Sequence, residues 1–161
     1  MVQIITLIAI AVLVAVDQLI KYIVSLKLIG AGTVVAIPGF IGWYYAENTG
    51  ASFSILTGKV NFLIVITAII ILLGLVYLLY KKTKFNLMYI GVALALAGGL
   101  GNFIDRISRG FVIDYIRTLF MDFPIFNFAD CLICVGAALM VIYTIIDLVR
   151  ECKTKKVKDN E

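Results

Sequence analysis

The sequence predicts an all-α membrane protein with four transmembrane helices and a small extracytoplasmic β-hairpin. The first observation is composition, because 63% of the 161 residues are hydrophobic and only 15% are charged. A soluble domain has roughly 45–50% apolar and about 25% charged residues. The second is a mean hydropathy of +1.09. The third is the placement of lysine and arginine, which lie mainly in short segments beside long apolar runs.

Four apolar segments are long enough to cross a bilayer, which takes about 20 residues. They cover residues 2–26, 60–80, 86–104 and 129–149. Between and after them are outer loops at 27–59 and 105–128, a turn at 81–85 and a tail at 150–161. The first segment differs from a cleavable signal peptide, because it lacks a basic leading region and carries Asp17 and Lys21 where cleavage would fall. We expect one membrane domain over residues 1–161.

Lysine and arginine predict the orientation of the four segments. The turn carries Lys81, Lys82 and Lys84, and the tail carries Arg150 and four lysines. Cytoplasmic segments are enriched in these residues, so we expect the turn, the tail and both termini on the cytoplasmic side. The two longer loops then lie on the outer side.

The first outer loop contains a hairpin signal. Residues 33–37 are rich in β-branched side chains, Pro38 and Gly39 form a turn signal, and residues 40–45 are rich in aromatic side chains. Aromatic residues are enriched where a membrane meets water. We therefore expect a β-hairpin at the interface, with Trp43 and its neighbours at the level of the lipid headgroups.

Several function classes are excluded by the sequence. It has no histidine, which rules out Ser-His and Cys-His catalysis and metal sites that need histidine. It has no phosphate-binding loop of the Walker A type. The net charge of +4 does not indicate nucleic-acid binding, because the basic residues lie beside apolar segments. We expect no metal, no cofactor and no nucleic-acid partner.

Three carboxylates are predicted at one depth in the membrane. At about 1.5 Å per residue, Asp17 lies about 24 Å from the cytoplasmic end of its helix, and Asp105 and Asp130 each lie about 28 Å from theirs. Asp114 follows in the second outer loop. Ionisable groups in a membrane are costly and usually face the bundle interior, where they serve function. The sequence thus predicts a polar cluster near the outer edge of the hydrocarbon.

Structural roles stay open for some of these residues. Asp17 and Lys21 are four residues apart and can pair on one helix face. Asp105 precedes Arg106, and an ion pair at the interface is the ordinary expectation there. Asn102 lies on the same stripe of the third helix, whose small residues are typical of close helix packing.

Asp114 and Asp130 are the candidates for chemistry, because both lie within apolar sequence. Two structural alternatives remain: Asp130 can cap the fourth helix, and Asp114 can pair with Arg117 or Arg106. Two carboxylates held close together in a poorly hydrated site cannot both ionise cheaply, so one keeps a proton and the other serves as a base. Aspartic proteases use such a pair to activate water toward a peptide carbonyl.

Five sequence blocks, in the same order, resemble the lipoprotein signal peptidases, also called signal peptidase II. They are Asp17-Gln18 with Lys21, Asn48-Thr49-Gly50-Ala51, Gly101-Asn102 with Asp105-Arg106, Gly110-Phe111-Val112-Ile113-Asp114-Tyr115, and Phe126-Asn127-Phe128-Ala129-Asp130. The resemblance implies a bacterial aspartic protease of the cytoplasmic membrane, with both termini in the cytoplasm and the active site near the outer face. Such enzymes remove signal peptides from prolipoproteins after a cysteine has received diacylglycerol, and cyclic peptides such as globomycin inhibit them.

The resemblance also implies residue roles. Asp114 and Asp130 match the catalytic pair. Nine positions match supporting or substrate-contacting residues: Asp17, Lys21, Asn48, Gly50, Asn102, Asp105, Arg106, Asn127 and Ala129. The loop around Trp43 matches a β-cradle, and residues 51–59 match a short, mobile outer helix. Ser52 departs from the family pattern, in which alanine is usual.

Other readings come from different classes. Cys131 and Cys134 form a C-x-x-C motif in the fourth segment, so a membrane thiol oxidoreductase is the alternative function. The intramembrane acids also permit a small ion carrier, although the cytoplasmic half of the bundle has few polar residues. As partners we expect prolipoprotein substrates and membrane lipid, and we expect the chain to be a monomer.

Overall fold

A computed structural model of the chain describes residues 1–50, 58–80 and 83–158, with side chains as far as residue 154. Within these ranges lie four long helices: α1 (Val2–Leu28), α2 (Val60–Leu79), α3 (Leu87–Arg109) and α4 (Phe128–Lys158). Each is long and apolar enough to cross a membrane, α4 over Phe128–Thr154. The predicted four-helix membrane fold is confirmed.

The helices present apolar side chains outward, as expected for surfaces that face lipid. Ile4 and Ile5 of α1 are 64% and 59% exposed. The same helix buries only Ile10, Asp17, Lys21 and Val24. Half of its buried residues are therefore charged, which reverses the pattern of a soluble protein. The interior of this bundle therefore contains polar contacts as well as apolar packing.

Helix α3 packs closely on α4 because both carry glycine at the contact. A Cβ atom added at Gly98 would collide with the carbonyl oxygen of Ala129. One added at Gly136 would lie 2.8 Å from the backbone nitrogen of Ala95. This contact agrees with the small-residue stripe seen in the sequence. It brings the first turn of α4 against the C-terminal half of α3.

A three-stranded antiparallel sheet covers one end of the bundle, in the order β1 (Val34–Ile37), β2 (Ile41–Asn48) and β3 (Val112–Thr118). The predicted hairpin is present as β1 and β2, with Gly39 at φ 70° in the turn. Strand β3 pairs with β2, and Ala46 lies opposite Asp114. Ile113 and Tyr115 of β3 pack on Val24 of α1, which fixes the sheet on the end of the bundle.

The segment between α3 and α4 differs from the predicted loop at 105–128. Helix α3 continues to Arg109 and ends at Gly110, whose φ of 83° is the left-handed conformation that glycine adopts at helix ends. Strand β3 follows almost at once. Its apolar residues are buried by pairing with β2, a contact that spans more than 60 residues of sequence and leaves no local signal. Asp114 is therefore a strand residue rather than a loop residue.

The other helix ends also differ slightly from the predicted spans. Helix α1 continues to Leu28, and α4 begins at Phe128 and continues to Lys158. Hydropathy finds the apolar part of a helix, whereas backbone hydrogen bonding continues into the polar flanks. The outer helix expected at 51–59 falls mostly on residues 51–57, which lie outside the described residues, as do Lys81 and Lys82.

Candidate active site

The polar residues singled out in the sequence meet where the bundle joins the sheet. Helix α1 contributes Asp17 and Lys21, and the last turns of α3 contribute Asn102, Asp105 and Arg106. Strand β3 contributes Asp114. The start of α4 contributes Asp130, with Asn127 directly before the helix. These residues form two adjoining groups, which we call the sealed cluster (Asp17, Lys21 and Asp105) and the open pair (Asp114 and Asp130).

Lys21 is the centre of the sealed cluster and is 0% exposed. Its Nζ lies 2.9 Å from Asp17 Oδ2 and 2.8 Å from Asp105 Oδ2. The third contact is a 2.9 Å hydrogen bond to Asn102 Oδ1. A lysine ammonium has three N–H groups, so every donor has an acceptor. The pairing of Asp17 with Lys21 across one helical turn is as expected, and Asp105 joins them from α3.

The two carboxylates of the sealed cluster also accept backbone hydrogen bonds. Asp17 Oδ1 accepts from the backbone N–H of Ala129 at 3.2 Å, and Asp105 Oδ2 accepts from that of Ile113 at 3.4 Å. The Gln18 amide donates to the carbonyl oxygen of Gly101 and lies between the two carboxylates. The cluster thereby joins α1, α3, β3 and α4. Its contacts mark it as the structural anchor of the site.

The expected ion pair between Asp105 and Arg106 is not formed. Asp105 pairs with Lys21, and its Oδ1 lies 3.5 Å from Nε of Arg109, one turn further along α3. Successive residues of a helix point about 100° apart, so Asp105 and Arg106 face different neighbours. Arg106 instead donates from Nη2 to the carbonyl oxygen of Gly50 at 3.0 Å.

Asn102 connects the sealed cluster to the open pair. Its Oδ1 accepts from Lys21 and from Asn127 Nδ2, the latter at 3.1 Å. Its Nδ2 donates to Asp130 Oδ1 at 2.8 Å. Because lysine can only donate, Lys21 requires the amide oxygen of Asn102 to face it. The amide N–H groups are thereby directed toward Asp130.

Asp130 caps α4 and also belongs to the open pair. Its Oδ2 accepts from the backbone N–H of Asn127 at 3.0 Å, and its own backbone N–H donates to Asn127 Oδ1 at 2.9 Å. This reciprocal arrangement is a capping box. The predicted capping role is therefore present, but it uses only Oδ2 of Asp130. The other oxygen, Oδ1, accepts a hydrogen bond from Asn102.

Asp114 is held by amide groups. Its Oδ1 accepts from Asn127 Nδ2 at 2.6 Å, and its Oδ2 accepts from Asn48 Nδ2 at 2.9 Å. Arg117, a suggested partner, donates to Thr33 Oγ1 and lies over the ring of Tyr44. Within the described ranges, neither member of the open pair forms an ion pair.

The environment of Asp114 favours its protonated form. Burial, at 3% exposure, and next the negative charge of Asp130 raise the pKa of Asp114 from the ordinary 3.8 to about 6. The hydrogen bonds from Asn48 and Asn127 act in the opposite direction. A carboxyl group shifted toward neutrality beside a second carboxylate is the arrangement found in acid–base pairs.

The open pair faces a cavity of about 730 Å³, which is within the range of about 300–1,000 Å³ typical of ligand sites. Its polar wall includes Asp114, Asp130, Asn48, Asn102 and Arg106. Its remaining wall is mostly apolar and includes Leu63 of α2 and Ile133 of α4. The sealed cluster does not line this cavity, so only the open pair is accessible to a ligand.

Segment 48–50 is fixed at the rim of the cavity. Asn48 Oδ1 accepts from the backbone N–H of Gly50 at 2.9 Å, while Gly50 presents its carbonyl oxygen to Arg106. Asn48 thus contacts both Asp114 and the loop that follows. Ala129 is fully buried beneath the site and donates its backbone N–H to Asp17. Ala51, which follows in the same sequence block, lies outside the described residues.

The cysteines and possible metal ligands add two facts. Cys131 and Cys134 line the cavity, and both thiols are free. Among the residues described, no group of three or more Cys, Asp or Glu side chains is arranged to hold a metal ion. No role was predicted for the Tyr115 hydroxyl, which accepts a hydrogen bond from the backbone N–H of Phe128 at the start of α4. That contact depends on the pairing of β3 and was not visible locally.

Fold and site together define a multi-pass membrane protein with a carboxylate pair on an internal cavity. The family profile described as "Signal peptidase (SPase) II" matches residues 9–146. The chain belongs to this family of bacterial membrane peptidases, as the five sequence blocks indicated, and is a peptide-bond hydrolase by family.

Individual relatives agree with the family match. A lipoprotein signal peptidase of Enterococcus faecalis is 44% identical over 138 residues, covering 85% of each chain. One of Staphylococcus aureus strain Newman is 43% identical over 158 residues, covering 96% of this chain and 94% of the relative. The similarity therefore extends over all four helices and the sheet.

Solved structures agree as well. A bacterial membrane enzyme determined by the in meso method at 2.3 Å superposes with a TM-score of 0.81 at 34% identity, covering 89% of this chain and 88% of the other. A second, at 1.9 Å, gives a TM-score of 0.77 at 34% identity, with coverage of 86% and 91%. The arrangement of helices and sheet is thus that of known membrane enzymes.

Proposed function

We propose that the chain is an intramembrane aspartic endopeptidase that removes signal peptides from diacylglyceryl-modified prolipoproteins, cutting before the lipidated cysteine. The observation that carries this proposal is the open pair: two carboxylates from different elements, both hydrogen-bonded to Asn127 and both lining one cavity. Membership of the signal peptidase II family supports the substrate class.

The two carboxylates have different roles in the proposed reaction. The end of α4 at which Asp130 lies favours negative charge, because helix N-termini carry a partial positive charge. Asp114 has a raised pKa and holds the proton of the pair. Asp130 removes a proton from water, the water oxygen attacks the scissile carbonyl carbon, and Asp114 donates its proton to the developing oxyanion. The proton taken by Asp130 then passes to the leaving amide nitrogen as the C–N bond breaks. Asp114 takes back the proton of the intermediate's hydroxyl as the carbonyl re-forms, so the pair recovers its single proton.

The sealed cluster holds the reacting groups in place. Lys21 fixes the amide of Asn102, which directs an N–H toward Asp130. Asn127 fixes Asp114 through its amide and Asp130 through the capping box. Correct orientation of reacting groups lowers the barrier because little motion has to be frozen in the transition state. Lys21, Asn102 and Asn127 are therefore positioning residues.

Membrane anchoring supplies much of the substrate affinity. A diacylglyceryl chain in the outer leaflet holds the scissile bond at the depth of the open pair, which raises its effective concentration. The apolar side of the cavity accepts the lipid or the signal peptide. Arg106 and Asn48 hold segment 48–50 beside the substrate. Globomycin-type peptides would compete for the same cavity.

The proposed topology places both termini in the cytoplasm and the open pair near the outer face. The lysines of the turn and tail favour this orientation by the positive-inside rule. The protein acts as a monomer, since the open pair, its positioning residues and the cavity all come from one chain.

The decisive experiment is cleavage of a diacylglyceryl-cysteine prolipoprotein peptide by the purified protein in detergent. Wild type is compared with Asp114→Asn, Asp130→Asn and the control Asp122→Asn, whose residue is exposed in the loop before α4. We expect cleavage directly before the lipidated cysteine by wild type and control, and none by the other two. Near-normal turnover in either open-pair variant would disprove the assignment, and an inactive but folded wild type would favour the oxidoreductase alternative.

A further inference from the structure

A second groove lies between α1 and α3, at the end of the bundle away from the sheet. It has a volume of about 230 Å³, and its walls are mostly apolar, with Ala9 and Leu13 contributed by α1 and Ala93 and Leu94 by α3. Its lining residues are different from those of the cavity at the open pair. Ala9 lies on the exposed side of α1, among side chains that face lipid. The groove is therefore accessible from the hydrocarbon of the membrane.

A buried hydroxyl without a partner belongs to the wall of this groove. Tyr89 lines the groove and is only 2% exposed, and within the described ranges its hydroxyl has no hydrogen-bond partner. Nearly all buried polar groups in proteins have one. The neighbouring polar side chains conform, because Thr6 donates to the carbonyl oxygen of Val2 and Gln3 donates to that of Leu79. The Tyr89 hydroxyl is thus the group that a ligand of the groove would satisfy.

Tyr89 lies at the depth where a lipid carries its ester groups. It is in the first turn of α3, about 4.5 Å along the axis from Asn86, which caps the helix. Helical side chains lean toward the N-terminus of their helix, and the Tyr89 ring accordingly packs on Phe85 at 5.6 Å between centroids. Tyrosine is enriched at this level, where headgroups meet hydrocarbon. A lipid ester carbonyl is an acceptor and complements the hydroxyl donor.

The segment before α3 is positively charged. Three lysines lie within residues 81–84 of the sequence, and Lys84 is exposed five residues before Tyr89. Asp147 and Glu151 are acids of the same end of the bundle, but they belong to α4, which does not line the groove. The entrance of the groove therefore favours an anionic headgroup over a zwitterionic one.

We propose that the groove between α1 and α3 binds a glycerophospholipid with an anionic headgroup. One acyl chain lies in the groove, an ester carbonyl accepts the Tyr89 hydroxyl, and the phosphate lies beside Lys84. The groove is smaller than the roughly 300–1,000 Å³ of sites for drug-sized ligands, which suits a single narrow chain. In the proposed topology this lipid belongs to the cytoplasmic leaflet. Binding at this site does not depend on the proposed peptidase activity.

The position of the lipid is tested by photocrosslinking the full chain in phosphatidylcholine vesicles. The vesicles contain a small fraction of phosphatidylglycerol with a diazirine in one acyl chain, and adducts are located by peptide mass spectrometry. We expect them on residues 5–13 and 89–94. Ala9→Leu, which fills part of the groove, should remove these adducts. Ala11→Leu, exposed on the same helix and outside the groove, is the matched control and should keep them.

The headgroup and the hydrogen bond are tested by affinity, using native mass spectrometry of delipidated protein titrated in detergent. Dioleoyl phosphatidylglycerol should bind about 5-fold more tightly than dioleoyl phosphatidylcholine, the preference ascribed to one lysine near an anionic surface. Lys84→Gln should reduce this preference. Tyr89→Phe should weaken both lipids by about 2–10-fold, the effect of one hydrogen bond, whereas Tyr80→Phe, at an exposed tyrosine, should bind like wild type.

Thermal unfolding without lipid separates binding from folding. Tyr89→Phe should be at least as stable as wild type, because it removes a buried hydroxyl that has no partner within the described ranges. Weaker lipid binding by a protein of undiminished stability would therefore assign the hydroxyl to the ligand.

Three results would overturn the proposal: adducts spread evenly over the lipid-facing surface, equal affinity for the two lipids, or wild-type affinity in both Tyr89→Phe and Ala9→Leu. A dimer that Ala9→Leu dissociates, with no lipid adduct in the groove, would assign the groove to a second copy of the chain instead. Failure of the proposed function would be distinguishable, because lipid binding is measured without any cleavage.

Discussion

The sealed cluster and the open pair are made of similar groups and behave differently. Each contains two carboxylates. The open pair contacts Asn102 through Asp130, and the sealed cluster contacts it through Lys21. In the sealed cluster a lysine ammonium compensates the charge, and Asp17, Lys21 and Asp105 are all 0% exposed. In the open pair, amide groups replace the cation and the carboxylates line a cavity. The difference teaches that charge compensation and access to ligand, rather than the presence of acids in a membrane, distinguish the sealed cluster from the proposed catalytic pair.

Exchanging aspartate for asparagine should give the largest difference between the two regions, because it should abolish cleavage in one and lower stability in the other. We expect Asp130→Asn to lose more than the roughly 10²–10⁴-fold ascribed to one general acid or base, because the pair acts as a unit. Its unfolding temperature should fall only modestly, since the asparagine side-chain oxygen still accepts the backbone N–H of Asn127 at the start of α4. Asp17→Asn should show a clearly lower unfolding temperature.

Cleavage rates and thermal unfolding in detergent, followed by circular dichroism, measure both effects. A large loss of stability in Asp130→Asn, with Asp17→Asn unaffected in both measurements, would reverse the assignment of anchor and reactive site.

Removing the cation should convert the sealed cluster from an anchor into a source of repulsion. Lys21→Met leaves Asp17 buried without a counter-charge and leaves Asp105 with Arg109 at 3.5 Å; removing one partner of a buried ion pair typically costs about 3–5 kcal/mol. Lys27→Met, an exposed position at the end of the same helix, is the control and should unfold like wild type. Chemical or thermal unfolding of the two variants side by side tests this, and equal stability would show that the cluster contributes little.

Asn102 should affect both regions, because it joins them. Asn102→Ala removes the hydrogen bond to Asp130 and one of the three acceptors of Lys21. We expect kcat to fall by about 100-fold, as for a small misplacement of a reacting group, with a smaller change in KM. Gln18→Ala, which removes contacts to the sealed cluster, should lower stability with little change in kcat. If kcat falls equally in both variants, Asn102 has no special positioning role.

The pH profile should report the proton of the open pair. The pKa of Asp114 is raised to about 6, so the singly protonated pair is lost as the pH rises through this value, and kcat/KM should decline on the alkaline side. The hydrogen bond from Asn48 stabilises the ionised carboxylate and lowers the pKa of Asp114. Asn48→Ala should therefore move the alkaline limb to higher pH. A limb that stays in place or moves to lower pH would contradict the assignment of the proton to Asp114.

The smallest effect is expected at Arg117, the partner of Asp114 suggested by sequence spacing. The side chain contacts Thr33 and the ring of Tyr44 on the exposed side of the sheet. Arg117→Ala should cost less than about 1 kcal/mol, as for other exposed cations, and should leave the pH profile unchanged. A shift of the alkaline limb in this variant would mean that Arg117 acts on Asp114 after all.

Much of the fold could be predicted because the bilayer simplifies the problem. A spanning helix has to bury its own backbone hydrogen bonds in apolar sequence, so length and hydropathy locate it. The β1–β2 hairpin was predictable for a local reason, the turn signal at Pro38 and Gly39. Strand β3 was missed because its partner lies far away in the sequence, and its apolar residues are equally compatible with a loop packed on the bundle.

The site was predictable in its members and less so in its connections. Counting residues along each helix placed Asp17, Asp105 and Asp130 at one level, and the structure joins them through Lys21 and Asn102. The prediction that Asp105 pairs with Arg106 was wrong, because adjacent residues of a helix point in different directions. The double role of Asn127, as helix cap and as ligand of Asp114, needed the position of β3 relative to α4.

The sequence by itself determined the membrane class, the number of spanning helices, the residues of the polar site and the family. These depend on local composition, helical rise and motif order. Only the tertiary structure decided which carboxylates are sealed by Lys21 and which face the cavity. That division depends on helix rotation and on side-chain contacts between residues as far apart as Asp17 and Ala129. Such contacts form through packing of whole elements, for which a single sequence carries no local signal.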